Sequence, residues 1–312
     1  MSAPPESPGA TAREGDVRPP EAEALPDWPC YLDGQFTTLR QARVSVLDRG
    51  FIFGDGVYEV LPVYEGRIFR FEEHMARLAR SLDAVRIPHP QSREAWLAVA
   101  RRLAAGHAAC TSSTSQLIYL QVTRGVALRD HAMLPGLTPT VFAMCSTLRP
   151  ASEAQRREGV ACVTADDFRW RKAHIKSTSL QGAVIARQIG VDAGVVETVM
   201  FRDGWLSEAA SSNVWVVQGG AVIGPPNDDR VLQGIRYDLL RELCADEGIP
   251  FSLRPVARDE VLAADELMLS SASKEVLPVT LLDGRAVGSG RPGPVYARLY
   301  AAYQRAKREQ SI

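Results

Sequence analysis

Residues 197–225 read ETVMFRDGWLSEAASSNVWVVQGGAVIGP, and their texture decides the fold class. Apolar and polar residues alternate in short runs, with Asp203-Gly204 between two of them as a turn, which is the pattern of antiparallel strands. Immediately downstream, GIRYDLLRELCADEG (234–248) spaces its apolar residues as one face of a helix and closes on Gly248. Strands and helices therefore share this half of the chain.

Working outward, VACVTADDF (160–168) predicts a strand, and the segment after Lys176 runs into an apolar-periodic helix ending near Gly190. PFSLRPVA (250–257), DELMLSSAS (265–273) and VTLLDGRAV (279–287) predict further strands, and VYARLYAAYQRAK (295–307) a terminal helix. In the first half, CYLDGQFT (30–37) predicts a hairpin turning at Asp33-Gly34. RVSVLDRG (43–50) reads as a strand, and GVYEVLPVYEGRIFRF (56–71) as a strand pair joined at Glu65-Gly66. Helices follow over 71–85 and 92–106. The strands of 115–125 and 138–150 flank an irregular stretch, VALRDHAMLPGL (126–137), of the kind that carries binding groups on a sheet scaffold. The expectation is a mixed α/β (α+β) chain with largely antiparallel sheets. A small domain covers 28–148, a helical connection 149–157, and a larger domain 158–312. Residues 1–27, rich in Pro, Ala and Glu, are expected to form a disordered or loosely packed extension.

A formal charge of −1 provides no field for a nucleic acid or an acidic membrane. Five cysteines (30, 110, 145, 162 and 244) lack CxxC spacing and form neither a disulfide framework nor a zinc signature, which fits a reduced, cytoplasmic compartment. No apolar run approaches membrane-spanning length, and nothing in charge or motif calls for a metal.

Of thirty-six Lys and Arg residues, only four are lysines: Lys172, Lys176, Lys274 and Lys307. Arginine neither gives up its proton nor forms a Schiff base, whereas lysine does both. Lys307, in RAKREQ, reads as solvated surface. Lys172, among Arg169, Arg171 and His174, reads as part of a basic face, and Lys274 as a turn residue. Lys176, where a strand or loop enters a helix, is the candidate for covalent amine chemistry. Glu208, in LSEAASSNVW, is either a turn glutamate or a buried acceptor for a pyridinium N–H. Gly234 and Ile235 start a helix whose free N–H groups suit a phosphate, and Arg77 can add a guanidinium. Arg129 and His131 place two cations two residues apart, as a carboxylate clamp or as salt-bridge partners of Asp130. Tyr58 follows two glycines that permit close approach.

Together these are the parts of a pyridoxal-phosphate site, and the chain resembles the class IV (fold-type IV) aminotransferases, most nearly the D-amino-acid aminotransferase branch. The resemblance is carried by DRGFIFGDGVYEV (48–60), EEHMARL (72–78), IYLQVTRGVALRDH (118–131), DFRWRKAHIKS (167–177), SEAASSNVW (207–215), LQGIRYD (232–238) and DELMLSSASKEVLPV (265–279), in the family's order. It implies a two-domain fold, pyridoxal 5'-phosphate as cofactor, Lys176 as Schiff-base lysine, and Glu208 as partner of the pyridine nitrogen. Arg77 and the backbone at Ile235 and Arg236 would hold the phosphate, Leu232 the ring. Tyr58, with Arg129 and His131 from the partner subunit of a homodimer, would hold the substrate carboxylate. This chain departs from the pattern at Arg236 and Ala272, where relatives carry Thr, and at Ala210, where a Ser is common; Ser271 flanks Ala272.

The expected activity is ping-pong transamination between a D-amino acid such as D-alanine and a 2-oxo acid. Sister activities on the same scaffold are (R)-selective amine transamination, branched-chain L-amino-acid transamination and aminodeoxychorismate lysis. A non-catalytic pyridoxal-phosphate-binding module is the alternative outside enzymes. Arg129 and His131 favour the D-amino acid reading.

Overall fold

The computed structural model describes residues 25–312, so nearly all of the expected N-terminal extension lies outside the described residues. The first half builds a six-stranded sheet from β1 (Pro29–Leu32), β2 (Gln35–Thr38), β3 (Gly56–Tyr64), β4 (Arg67–Ile68), β5 (Gln116–Thr123) and β6 (Thr140–Thr147). Its order is β2-β1-β6-β5-β3-β4 and every pairing is antiparallel. Three helices belong to this half: α1 (Arg49–Phe53), α2 (Phe71–Ala84) and α3 (Arg93–Thr111). The expected strand over 43–50 is absent. Val44, Val46 and Leu47 are exposed, and the segment ends in α1, whose N-cap Asp48 accepts from Gly50 N and whose C-cap Gly54 is left-handed.

After α4 (Glu153–Glu158), the second half forms a nine-stranded sheet. Its elements in chain order are β7 (Val160–Asp166), α5 (Gln181–Asp192), β8 (Glu197–Arg202), β9 (Trp205–Ala209), β10 (Asn213–Gln218), β11 (Ala221–Gly224), α6 (Ile235–Asp246), β12 (Phe251–Leu253), α7 (Arg258–Leu262), β13 (Glu266–Ser271), β14 (Glu275–Leu282), β15 (Arg285–Ala286) and α8 (Pro294–Glu309). The strand order is β12-β11-β10-β13-β14-β7-β8-β9, with β15 on β14. Most joins are antiparallel. Three are parallel, and two of these have a helical crossover between them, α5 linking β7 to β8 and α6 leading from β11 to β12, the connection parallel strands require.

Two features of this scaffold position the site. First, β4 pairs only with Val63 and Tyr64, which leaves the start of β3 with an open edge. The loop after β7 closes that edge: Tyr58 N donates to Lys176 O at 3.0 Å and Thr178 N to Gly56 O at 3.0 Å, with Val57 bridged to Ser177. Second, one core cluster joins the two halves, packing Tyr64, Phe69 and Leu148 with Trp215, Leu240 and Tyr303. Trp215 is fully buried and its indole N–H donates to Ser270 Oγ at 2.9 Å, so a large apolar body enters the core without an orphaned donor. No helix among the described residues is long and apolar enough to cross a membrane.

Candidate active site

A cavity of about 550 Å³ opens between the halves. Lys176 lines it from the loop that docks on β3, and its Nζ stands 4.1 Å from the centroid of the Tyr58 ring, which lines the same cavity. The lysine backbone is held on both sides, its carbonyl by Tyr58 N and its N–H by Ser81 Oγ at 3.3 Å.

Glu208, at the end of β9, is buried in the cavity wall. One carboxylate oxygen accepts from Arg169 Nη1 at 2.5 Å. The other accepts from Leu232 N at 3.1 Å and Asn213 Nδ2 at 3.2 Å. Burial pushes the Glu208 carboxyl above the ordinary carboxylate range, while the charge of Arg169 and the N–H of Leu232 pull the other way. Arg169 is itself gripped by Asp167, which accepts its Nε and Nη2 at 2.9 Å each. Burial opposes ionisation of Asp167, but the Arg169 hydrogen bonds and charge outweigh it and hold the carboxyl below its usual range. Reading Arg169 with Arg171, Lys172 and His174 as one basic face is therefore corrected. Those three are exposed, whereas Arg169 turns inward to the site glutamate.

At the other end, Gly234 caps α6 and offers no side chain to its first turn. A Cβ there would lie 2.1 Å from Asn213 Oδ1, so the close approach of the cap to the asparagine that steadies Glu208 requires glycine. Arg77 reaches this end from α2. The buried face of α2 carries Phe71, Met75, Leu78 and Leu82, but also His74 and Arg77, and buried polar groups need partners. Glu59 on β3 supplies them, accepting Arg77 Nε at 2.7 Å and Nη2 at 2.8 Å, and pairing with His74 Nδ1 at 2.7 Å. Arg77 Nη1 donates to Gln233 O at 3.3 Å, beside the α6 cap. Arg236 lies in the first turn of α6, buried, with Nε and Nη2 donating to Tyr303 Oη at 3.2 and 3.1 Å. Among the described residues no carboxylate lies within ion-pair distance of it. Ser271 and Ala272 line the same cavity, Ser271 Oγ accepting from Lys274 N at 3.1 Å.

Leu232, Gly234, Ile235 and Ala210 also border the cavity. Arg129 and His131 do not: both are exposed on the loop after β5, with their side chains against Phe53. One lysine reading changes, and Lys274, in a turn as expected, gains a partner. Lys307 is not simply solvated, because its Nζ lies 2.7 Å from the buried Glu275 and 4.1 Å from the centre of the Tyr64 ring. Lys274 pairs with Glu197, a buried carboxylate that sequence inspection passed over and that also accepts from Ser211 and Ser212.

An amine, a buried carboxylate and an uncapped helix N-terminus around one cavity match a phosphorylated pyridine aldehyde: amine for aldehyde, carboxylate for ring nitrogen, N–H groups for phosphate. The family model for class IV amino-transferases matches residues 56–282, from β3 to β14. The chain belongs to the class IV aminotransferases. Enzymes of this class depend on pyridoxal 5'-phosphate. This class IV chain is 35% identical over 282 residues to the D-alanine aminotransferase of Bacillus licheniformis, covering 87% of this chain and 94% of that one. It is 34% identical over 284 residues to the D-alanine aminotransferase of Staphylococcus aureus (strain COL), covering 90% and 99%. In fold it is similar to the branched-chain amino acid aminotransferase of Escherichia coli. That match has a TM-score of 0.82 at 23% identity, over 89% of this chain and 94% of the other. The mixed α/β architecture with largely antiparallel sheets is thus the fold-type IV architecture.

Proposed function

We propose that this aminotransferase moves the amino group of a D-amino acid, such as D-alanine, to a 2-oxo acid in a ping-pong sequence. The observation that carries the reading is the convergence on one cavity of Lys176, Glu208 and the N-terminus of α6. The similarity to D-alanine aminotransferases over nearly the full chain supports the substrate class.

Pyridoxal phosphate, when bound, supplies the aldehyde that takes up the amino group and a ring that accepts electron density. Lys176 would hold it, and its Nζ is placed to take the substrate Cα proton as general base. Glu208 keeps a proton at the ring nitrogen. The upward pull of burial on its pKa makes it a good holder of that proton, and Arg169 keeps its carboxylate aimed. Arg77, Arg236, Ser271 and the N–H groups of Ile235 and Arg236 would hold the phosphate, and Leu232 would border the ring. Ala272 has no hydroxyl to add, so the charge of Arg236 takes its place.

Tyr58, Arg129 and His131 bind the substrate carboxylate, the latter two reaching the cavity of a second copy of the chain. Phe51, Leu128 and Val46 are 75%, 79% and 71% exposed on the face that carries this loop. An apolar surface of that kind marks an interface, so a homodimer with two shared sites is the working assembly. Residues 28–148 and 158–312 act as its two domains. All five cysteines are free thiols, in keeping with a cytoplasmic setting.

The test is the visible spectrum of the purified holoenzyme after separate additions of D-alanine, L-leucine and (R)-1-phenylethylamine. Loss of the cofactor band with D-alanine is the expected result. A response only to L-leucine or only to the amine overturns the D-amino acid reading. No band after reconstitution with pyridoxal phosphate overturns the enzyme reading.

A further inference from the structure

The loop that carries Arg129 and His131 is fastened from behind by a buried cluster outside the cavity. Arg49 and Arg124 are both buried, and both form ion pairs with one carboxylate, Asp55. Arg49 Nε and Arg124 Nε each lie 2.8 Å from Asp55 Oδ2, and Arg124 Nη2 lies 2.9 Å from Oδ1. The rest of the Arg124 fork donates to the carbonyls of Val85 and Arg86, at 2.7 and 3.0 Å, past the end of α2. Arg124 is thereby saturated by the body of the first half. Arg49 is not. Its Nη1 donates at 2.5 Å to the carbonyl of Asp130, the residue between Arg129 and His131.

A second guanidinium buried on a carboxylate already satisfied by the first is an expensive arrangement. Its return is directional: a rigid planar fork fixed at one end by Asp55 aims its other end at the loop. The loop has little else. Among the described residues, Leu128 to Met133 make one hydrogen bond to the body of the protein, the one from Arg49. The other bonds near the loop tip are internal, from Ala132 N to Asp130 Oδ1 and from Leu134 N to Ala132 O.

Phe53, at the far end of the same short helix, completes the support. Its ring centroid is 4.9 Å from Arg49 Cζ, 5.4 Å from Arg129 Cζ and 5.2 Å from the His131 ring centroid. One aromatic ring therefore gathers both candidate clamp residues and the arginine that anchors the backbone between them. The next residue, Gly54, ties the helix to the catalytic loop: its carbonyl accepts from Thr178 Oγ1 and Ser179 Oγ at 2.9 Å each.

We propose that Arg49 and Phe53 are positioning residues for substrate-carboxylate recognition, fixing the spacing and aim of Arg129 and His131 from outside the cavity. This rests on the reading of Arg129 and His131 as the carboxylate clamp. Arg49 does not line the cavity, so its effect belongs on substrate binding and not on the proton transfer at Lys176.

The experiment compares holoenzymes carrying Arg49→Gln and Phe53→Leu with the parent, and repeats both changes in an Arg129→Ala/His131→Ala background. Expected in the parent background are a KM for D-alanine raised about tenfold, kcat within about threefold, and an unchanged cofactor band. Faster amide exchange confined to about residues 127–133 goes with them. In the doubly substituted background neither change raises KM further, because the residues being positioned are gone. Unchanged KM in both single variants, or KM effects that add fully to those of the double variant, overturn the positioning role while leaving the clamp standing. If Arg129→Ala/His131→Ala itself leaves KM unchanged, the clamp reading falls and the proposal with it. Phe53→Leu keeps the test decisive should Arg49→Gln fail to fold.

Discussion

Arg169 Nη1 lies 2.5 Å from Glu208 Oε1, and the other side of the same guanidinium is locked on Asp167. The fork holds the glutamate oxygen still while Asp167 balances its charge, so Glu208 is aimed without being swamped by a lone cation. Replacing Arg169 by Met removes the cation that opposes burial, and the Glu208 carboxyl moves further above its ordinary range. The expected outcome is an altered pH titration of the holoenzyme's visible band together with a loss of roughly tenfold in kcat. Glu208→Gln, which has no negative charge to keep the ring nitrogen protonated, loses roughly 10²–10⁴-fold. Single-turnover rates with D-alanine between pH 6 and 9 check both. An Arg169→Met enzyme with the parent's titration would show that Arg169 is merely structural.

Gly234→Ala tests the phosphate end. The new Cβ would fall 2.1 Å from Asn213 Oδ1, so either α6 shifts or Asn213 leaves Glu208 and Leu232 O. Overpacking of this kind costs about 1–3 kcal/mol. Because the displaced atoms border the cofactor pocket, the loss appears mainly as weaker pyridoxal phosphate binding, roughly tenfold or more, with a smaller change in apoprotein melting. Equilibrium titration of the apoprotein with the cofactor, beside calorimetric melting, reads both quantities.

How far the sequence carries the reader depends on whether a residue's role is local. The short apolar runs of 197–225 become β8 to β11, delimited by their turns although these strands are buried on both faces; the periodic helices α2, α6 and α8 appear near their expected bounds because their pattern is set by which face is buried. Lys176, Glu208, Arg77 and the start of α6, singled out by residue type, do come together around one cavity. Arg169 was not legible, since its neighbours Arg171, Lys172 and His174 are solvated and its partner lies thirty-nine positions away. Lys307 was misread for the same reason: RAKREQ looks like a surface run until the helix turns that lysine onto Glu275 and Tyr64. The false strand at 43–50 shows the limit of alternation alone. Its valines face outward, and Asp48 and Gly54 convert its end into a single helical turn.

The buried Glu59–His74–Arg77 group predicts acid lability. Glu59 stays ionised although buried, because Arg77 and His74 hold its carboxyl far below the usual range, while burial moves His74 down from an ordinary 6.5 to about 4. Both folded pKa values lie below the unfolded ones. The His74 contribution is therefore complete above pH 6.5 and lost as pH falls towards 4; the Glu59 contribution goes as pH falls through and below its ordinary 4.5. Stability should therefore fall steadily between pH 7 and 4 as the buried pair is titrated. Urea unfolding at pH 7, 5.5 and 4.5 measures the slope, and His74→Gln should flatten its upper part. A parent enzyme equally stable at pH 7 and 4.5 contradicts this account.

Arg236 separates cofactor affinity from fold stability. Its guanidinium is buried on the phenol oxygen of Tyr303, with no carboxylate in ion-pair range among the described residues. A buried cation without a counter-ion burdens the apoprotein, and the same charge at the first turn of α6 adds to the helix dipole in attracting a phosphate. The two effects predict changes of opposite sign in Arg236→Met. Apoprotein melting should stay level or rise, because the desolvated charge is gone and the replacement packs against Phe69 and Tyr303. The dissociation constant for pyridoxal phosphate should increase about tenfold, the equivalent of one charge-assisted hydrogen bond. Arg236→Lys should keep part of the affinity, since a point charge remains but the planar fork is lost. Titration of each apoprotein with cofactor, set against its melting curve, decides the matter. Affinity that falls only in step with melting would make Arg236 a packing residue and return the phosphate to the backbone N–H groups and Arg77 alone.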